Sequence, residues 1–391
     1  MITVTKQILI HNAHIYGPSR DWYPGWLLVS DRKISLIGAG TPPNFDREAN
    51  VRMIDAGSKN VLPGFIDVHA HGGMGHEAMD ASADGIKSMA QFYAQHGVTA
   101  FLPTTWAATG EAITGVIDTV SGIIGPVANG ATILGVHLEG PYLNPKHSGA
   151  QDIKLVRPAD REEALKFLES GIVRLITMAP EFPENEWLIA ECVRRGITVS
   201  LGHTAATYDE VKKAVQMGVT HDTHTYNAMV GLSHREPGTV GGVMTCPEIQ
   251  CELICDNIHV HPAAQKILIA AKSPDGVILV TDCTRGTGMP EGDYPIDNRI
   301  ITIRDGIARL PDGTIAGSIL TMERALKNAM DASGLTLKEA WPMTSLNAAR
   351  NIGVSSTKGS IEVGKDADLV MLNDELDVQM TIAEGAVVFE K

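Results

Sequence analysis

Cysteine, aromatic residues, positive charge and long apolar runs are all in short supply in this chain. There are five cysteines, Cys192, Cys246, Cys251, Cys255 and Cys283, odd in number and without a Cys-x-x-Cys pair. Neither a disulfide framework nor a zinc–thiolate site is signalled, and the thiols read as reduced and mostly buried. Cys283 follows an aspartate, but no histidine stands beside it to activate a nucleophilic thiol. Aromatics make up only 5% against 39 glycines, which points to many tight strand-to-helix turns rather than an aromatic-rich sandwich. The formal net charge of -14 argues against nucleic acid or an anionic membrane as a partner. An anionic substrate would need a local basic pocket against that background. No run approaches the roughly 18 apolar residues of a membrane span, and residues 1–6 lack a signal-peptide pattern. A cytoplasmic location is expected.

What is present is length and alternation. At 391 residues and 44% hydrophobic content the chain can bury a large core and exceeds one compact domain. Short alternating segments such as Gln7-Ile8-Leu9-Ile10 and Ile34-Ser35-Leu36-Ile37 fill the start, and the style returns at Leu369-Val370-Met371-Leu372 and Ala386-Val387-Val388-Phe389. Both ends are expected to build one small β-sandwich domain, from residues 1–61 and 358–391, around an insert at 62–357. The insert alternates strand-like runs with helical-period segments, as repeated βα units do. Strands are expected at 65–71, 98–102, 132–138, 173–178, 198–201, 219–224, 251–255 and 277–281. Helices are expected at 83–96, 162–170, 185–195, 208–217 and 262–271, with Gly97, Gly171, Gly196 and Gly218 as stops. Eight units predict an α/β fold of the TIM type, a (β/α)8 barrel.

In such a barrel the reactive groups sit at the C-terminal ends of the strands. His69 and His71 end the first strand and share a face, because side chains alternate along a strand. Glu139 follows the third, His203 the fifth, His224 ends the sixth and Asp282 follows the eighth. Imidazole and carboxylate are the donors zinc and similar divalent ions prefer. Four His, one Glu and one Asp exceed the needs of one ion, whereas two ions bridged by Glu139 would use them. Such a pair lowers the pKa of a bound water from about 15.7 toward about 7. Asp282 could then take the nucleophile's proton and pass it to a leaving group.

Further motifs accompany these: Pro63-Gly64-Phe65-Ile66-Asp67, His137-Leu138-Glu139-Gly140-Pro141, Gly202-His203-Thr204, Thr223-His224-Thr225-Tyr226-Asn227-Ala228-Met229, Arg235-Glu236-Pro237-Gly238, Asp256-Asn257-Ile258-His259-Val260 and Ala316-Gly317-Ser318. With them the chain resembles the amidohydrolase superfamily, and within it the deacetylases of N-acetylated amino-sugar phosphates. The resemblance implies metal-dependent hydrolysis of the acetamide of N-acetyl-D-glucosamine 6-phosphate to D-glucosamine 6-phosphate and acetate. By the same resemblance Glu139, His203 and His224 hold the principal metal, His69 and His71 favour a second, and Asp282 transfers the proton. One or two divalent ions per chain follow, zinc foremost, with iron, manganese or cobalt open. Ala150, Gln151, Asn227, Ala228, Arg235, Asp256, Asn257, Ile258, His259, Ile315, Ala316 and Gly317 would contact the sugar phosphate. Arg235 suits the phosphate, since a guanidinium matches it in a bidentate way. In this family that arginine crosses an interface, so a homodimer is implied. Some members carry a His where this chain has Gln151, which can donate a hydrogen bond but not carry the proton. The second metal would then take over part of the carbonyl polarisation.

Other residues read more plainly. His11, His14, His96, His221 and His261 are assigned to surface or packing. His137 shares a face with Glu139 and either holds a ligand in place or packs the barrel. Asp67 orients a ligand or closes a turn, His76 and Glu77 form a solvated loop, and His147 and His234 are rim contacts. The competing functions are a related amidohydrolase acting on N-acetylgalactosamine 6-phosphate, an N-acyl amino acid or a cyclic ureide, and a non-catalytic barrel scaffold.

Overall fold

The computed structural model describes residues 7–44 and 51–391; the 1–6 stretch inspected for a signal pattern lies outside them. The alternating N-terminal segments form β1 (Gln7–Tyr16), β2 (Asp21–Ser30), β3 (Lys33–Ala39), β4 (Val51–Asp55) and β5 (Asn60–Pro63). In β1 the period of two sends Ile8 and Ile10 into one core, register shifts beyond Ile10 bring Ile15 to the same core, and Leu9 packs with Trp26 and Leu28 on the opposite face.

The chain then enters the barrel: β6 (Phe65–Ala70), β7 (Val98–Thr105), β8 (Val136–Glu139), β9 (Val173–Met178), β10 (Thr198–Leu201), β11 (His221–Asp222), β12 (Gln250–Ile254) and β13 (Val277–Val280). Each pairs in parallel with the next. The ring closes through a different set of bonds. The backbone N–H of Asp282 donates to the carbonyl of His69 at 2.9 Å. The Thr281 hydroxyl donates to Asp67 Oδ2 at 2.6 Å. Asp67 therefore ties the first strand to the last.

After β13 an antiparallel insert, β14 (Gly292–Ile296), β15 (Arg299–Arg304) and β16 (Ile307–Arg309), packs its own small core against Trp106 and Ala150. The C-terminal strands β17 (Leu369–Leu372), β18 (Val378–Ala383) and β19 (Ala386–Glu390) return to the first sheet, where β17 runs antiparallel to β5. That sheet has the order β19-β18-β17-β5-β1-β2-β3, with β4 also on β1. It curls until Lys33 and Asp366 form a bridge, enclosing Ile34, Val61, Leu369 and Ile382.

Helices cover the barrel at Ala83–Gln95, Arg161–Glu169, Pro183–Arg194, Tyr208–Gln216 and Pro262–Lys272. The four glycines expected to end helices all take positive φ, from 71° at Gly171 to 105° at Gly218.

Three features depart from the expected pattern. The third strand splits into Thr132–Ile133 and Val136–Glu139 around Gly135, at φ 149°. The sixth shrinks from 219–224 to His221–Asp222. Helices at Gly110–Ser121 and Gly238–Thr245 were not anticipated. Gly110–Ser121 is rich in β-branched residues, which are weak helix formers, and its helix is secured by burying Ile113, Val116, Ile117 and Val120. No helix among the described residues is long and apolar enough to cross a membrane.

Candidate metal centre

The barrel brings the four expected histidines and two carboxylates to one point. Glu139 is the hub. Its Oε1 lies 3.2 Å from His203 Nε2 and 3.1 Å from His224 Nε2. Its Oε2 lies 3.5 Å from His71 Nε2, and Oε1 is 3.5 Å from His69 Nε2. Asp282 Oδ1 stands 3.2 Å from His71 Nε2 and 3.5 Å from His69 Nε2. All six residues are buried.

The rings are aimed by what their other nitrogens touch. Nδ1 of His71 donates to the Thr104 carbonyl at 3.1 Å, Nδ1 of His203 to the His147 carbonyl at 2.8 Å, and Nδ1 of His69 to Glu252 at 2.8 Å. Each therefore turns an Nε2 lone pair toward Glu139. His224 Nδ1 has no partner. The Nε2 atoms of His69 and His71 face each other at 3.2 Å, and those of His203 and His224 at 3.1 Å. Facing lone pairs repel unless a cation lies between them. The donor set thus suits divalent ions, as two clusters, His69/His71/Glu139 and Glu139/His203/His224.

The electrostatics agree. Burial works against charge on His69, but Glu252, Asp282 and Glu139 outweigh it and raise the ring to about 10. Burial likewise opposes ionisation of Glu139 and Asp282, yet the facing histidines hold Glu139 well below and Asp282 below the ordinary carboxylate range. A cluster that draws a proton onto a buried imidazole also attracts a metal cation. His137, by contrast, is held well below its usual value by burial and then by His69. It meets the Val68 carbonyl at 3.0 Å and Thr177 at 2.8 Å, so it packs edge-on under His69 rather than bonding to Glu139.

Backbone strain gathers here. His203, His224, Ala228 and Asp282 take positive φ of 47°, 33°, 50° and 49°, a conformation costing a non-glycine residue about 1 kcal/mol or more and concentrated at functional sites.

The cleft above, about 180 Å³, is lined by His71, Trp106, Glu139, Gly149, Ala150, Gln151, His203, His224, Asn227, Ala228, His259, Asp282, Ile315 and Gly317. Of the residues expected to contact substrate it gathers Ala150, Gln151, Asn227, Ala228, His259, Ile315 and Gly317. Arg235, Asp256, Asn257, Ile258 and Ala316 are not in its wall. Asp256 instead accepts from His259 Nδ1 at 2.6 Å, and Arg235 stands exposed on the 231–236 loop.

Gln151 is committed on both sides. Its Oε1 accepts from the Ala107 N–H at 2.6 Å, and its Nε2 donates to Glu139 Oε2 at 2.5 Å. Cys283 is no nucleophile: burial pushes its thiol up to about 12, and it donates to the Gly72 carbonyl at 3.1 Å. Glu77 is buried against Arg285 at 2.8 Å, not solvated. Trp106, stacked on His71 at 4.9 Å and 24°, was missed because nothing around it in sequence marks it.

A larger cavity of about 630 Å³, lined by Val29, Asp31, Arg32, Val127, Glu384 and Val387 among others, contains none of the six converging residues. The chemistry therefore belongs to the smaller cleft.

Residues 60–388 match the amidohydrolase family. An N-acetylglucosamine-6-phosphate deacetylase of Bacillus subtilis (strain 168) is 36% identical over 99% of this chain and 98% of its own. An N-acetylgalactosamine-6-phosphate deacetylase of Escherichia coli O157:H7 is 34% identical over 86% and 89%. The solved structure of a variant N-acetyl-D-glucosamine-6-phosphate deacetylase from Mycobacterium smegmatis, in complex with N-acetyl-D-glucosamine-6-phosphate, superposes with a TM-score of 0.89 at 31% identity, covering 98% of this chain and 99% of its own.

Proposed function

The chain belongs to the amidohydrolase family, and from that premise we propose that it hydrolyses the acetamide of N-acetyl-D-glucosamine 6-phosphate to D-glucosamine 6-phosphate and acetate. The observation that carries the reading is the convergence of four imidazoles on Glu139 with Asp282 beside them, on the cleft floor. Glu139, His203 and His224 would hold one divalent ion, and His69 and His71, with Glu139 again, would hold a second. Zinc is our choice because imidazole and carboxylate are its customary donors, with iron, manganese and cobalt as competitors. Such ions polarise an amide carbonyl and acidify water.

The residues do the rest. Asp282, held ionised, takes a proton from the attacking water. A C–O bond forms, the C–N bond breaks, and Asp282 returns the proton to the departing amine nitrogen. Trp106 braces the His71 ring and walls the cleft. Gln151, bonded to Ala107 and Glu139, steadies Glu139, and the second N–H of its amide remains for the substrate. Asn227, Ala228, Ile315 and Gly317 border the sugar.

The phosphate poses a charge problem, since no Lys or Arg lines the cleft among the described residues. His259, with Nδ1 held by Asp256, offers Nε2. Arg235 of a second copy supplies the missing cation, which makes the enzyme a homodimer. Its charged substrate does not cross membranes unaided, which supports action in the cytoplasm.

The relative acting on the galactosamine epimer sustains a second reading with the same chemistry. Acetate release from the two phosphorylated sugars and from unphosphorylated N-acetylglucosamine, with a metal count per chain, separates them. Preference for the glucosamine phosphate with close to two ions supports the proposal. No release from either phosphate after reconstitution with several divalent metals overturns it.

A further inference from the structure

Beneath the metal centre lies a carboxylate that belongs to none of the motifs above. Glu252 is the one charged residue of β12 and is wholly buried. An ionised group there persists only if its lone pairs are met, and they are. Oε2 accepts from His69 Nδ1 at 2.8 Å and from the backbone N–H of His224 at 3.0 Å. Oε1 accepts from His221 Nε2 at 2.8 Å. Behind His221, Nδ1 meets Asn351 Oδ1 at 2.7 Å, and the Asn351 amide donates to the Thr220 carbonyl at 3.1 Å. That last bond fixes which way the amide points, with its oxygen toward His221.

We propose that Glu252 is a positioning residue for the metal centre, one carboxylate that holds both the ring of His69 and the strained turn presenting His224. The inference rests on the reading of the centre given above. His69 and His224 belong to different ligand clusters, so a single buried group constrains both. With Nδ1–H of His69 held, only its Nε2 lone pair faces Glu139; without the acceptor, the other tautomer, which cannot ligate through Nε2, becomes equally available. The His224 N–H bond holds a residue at φ 33°, which would otherwise relax.

Glu252 is not itself a ligand. It comes within 4.8 Å of His69 and His137 nitrogens, but both of its oxygens already accept N–H donors, and His137 is spent on Val68 and Thr177.

The test is Glu252→Gln, which keeps the shape but replaces one acceptor oxygen with a donor. Metal-free parent and variant compete with a chromophoric chelator for zinc. Partners of this kind typically set metal affinity by about 10–100-fold, and we expect a loss of that size. The melting temperature of the metal-free protein should stay near the parent's, and kcat should recover at raised zinc. A purely structural role would lower the melting temperature and leave the affinity of the folded protein alone. Glu252→Asp, which withdraws the carboxylate by about one C–C bond of ~1.5 Å and keeps its charge, should fall between the two. Unchanged zinc affinity in folded Glu252→Gln overturns the proposal, as does failure of both variants to fold. If the parent binds zinc tightly, releases no acetate, and still loses affinity in the variant, the substrate reading fails and the role of Glu252 stands.

Discussion

Replacing Gly317 with alanine should disable the proton-transfer residue without touching it. Gly317 sits at φ 64°, and a Cβ there would lie 2.9 Å from the Asp282 carbonyl oxygen and 3.5 Å from Thr284 Cβ. Left-handed backbone costs an alanine about 1–2 kcal/mol. The contact falls short of ordinary separation by roughly half an ångström, so the Asp282 backbone must move by about that much. A misplacement of about 1 Å costs about 100-fold in rate, which puts this shift near 10-fold in kcat, or ~1.4 kcal/mol of barrier. The new methyl meets the Asp282 backbone first, with Thr284 Cβ and Asp282 Oδ1 farther off at 3.5 and 3.8 Å, so kcat should change more than KM. Gly353→Ala is the matched control. Gly353 takes φ 74° with nothing within 4 Å of an added Cβ, so it bears the backbone cost without the push. Thermal unfolding should show both variants destabilised, and steady-state acetate release should show kcat lowered only in Gly317→Ala. Equal kcat in the two variants would refute the reasoning.

Asp282→Asn should keep its metal count, read by elemental analysis, while kcat drops by the roughly 10²–10⁴-fold typical of a lost general acid–base; loss of metal instead would make Asp282 mainly a ligand. Arg235→Ala should raise KM for the phosphorylated sugar and leave hydrolysis of the unphosphorylated one unchanged, and equal losses on both would remove the phosphate assignment. Unfolding and refolding the Arg235→Ala and Asp282→Asn chains together should restore about a quarter of the parental sites if the arginine serves the neighbouring subunit of a symmetric dimer. No recovery would place it in its own cleft or outside catalysis. Chelation should lower the melting temperature, and readded divalent ion at about 100 times Kd should return ~2.7 kcal/mol of stability; an indifferent melting curve would contradict a resident metal.

The barrel and most of its centre were legible because they depend on short-range rules. His69 and His71 share a face through the strand period, and Gly97, Gly171, Gly196 and Gly218 announce their helix ends by the φ they require. Glu252 left a signal that went unused, a charge within the apolar run Cys251-Glu252-Leu253-Ile254-Cys255, which demands a buried partner. That partner, His221, was assigned to packing because their pairing is made across neighbouring strands. Gln151 reaches the cleft wall as expected, but its bonds to Ala107 and Glu139 are contacts that only the folded loops create. Two glycines straight after His71 suit a loop that lets a ligand approach the backbone, but at Gly72 the room is filled by the backbones of His76 and Arg285, 2.4 and 2.6 Å from where a Cβ would sit. Gly110–Ser121 was missed because its β-branched residues argue against helix until tertiary burial overrides them.

The pairing of β5 with β17 has a consequence for how the protein is made. Pro63 lies opposite Leu369, two residues before the start of the strand that carries His69 and leads into His71. During synthesis β5 can pair with β1 at once, but its other edge waits until nearly all 391 residues have been made, and contacts so distant in sequence form slowly. A nick or premature stop near residue 368 would remove no ligand and no reacting group. It would nonetheless leave the segment leading into the first barrel strand held on one edge only, by β1, so the integrity of the tail acts as a proofreading condition on the enzyme's competence.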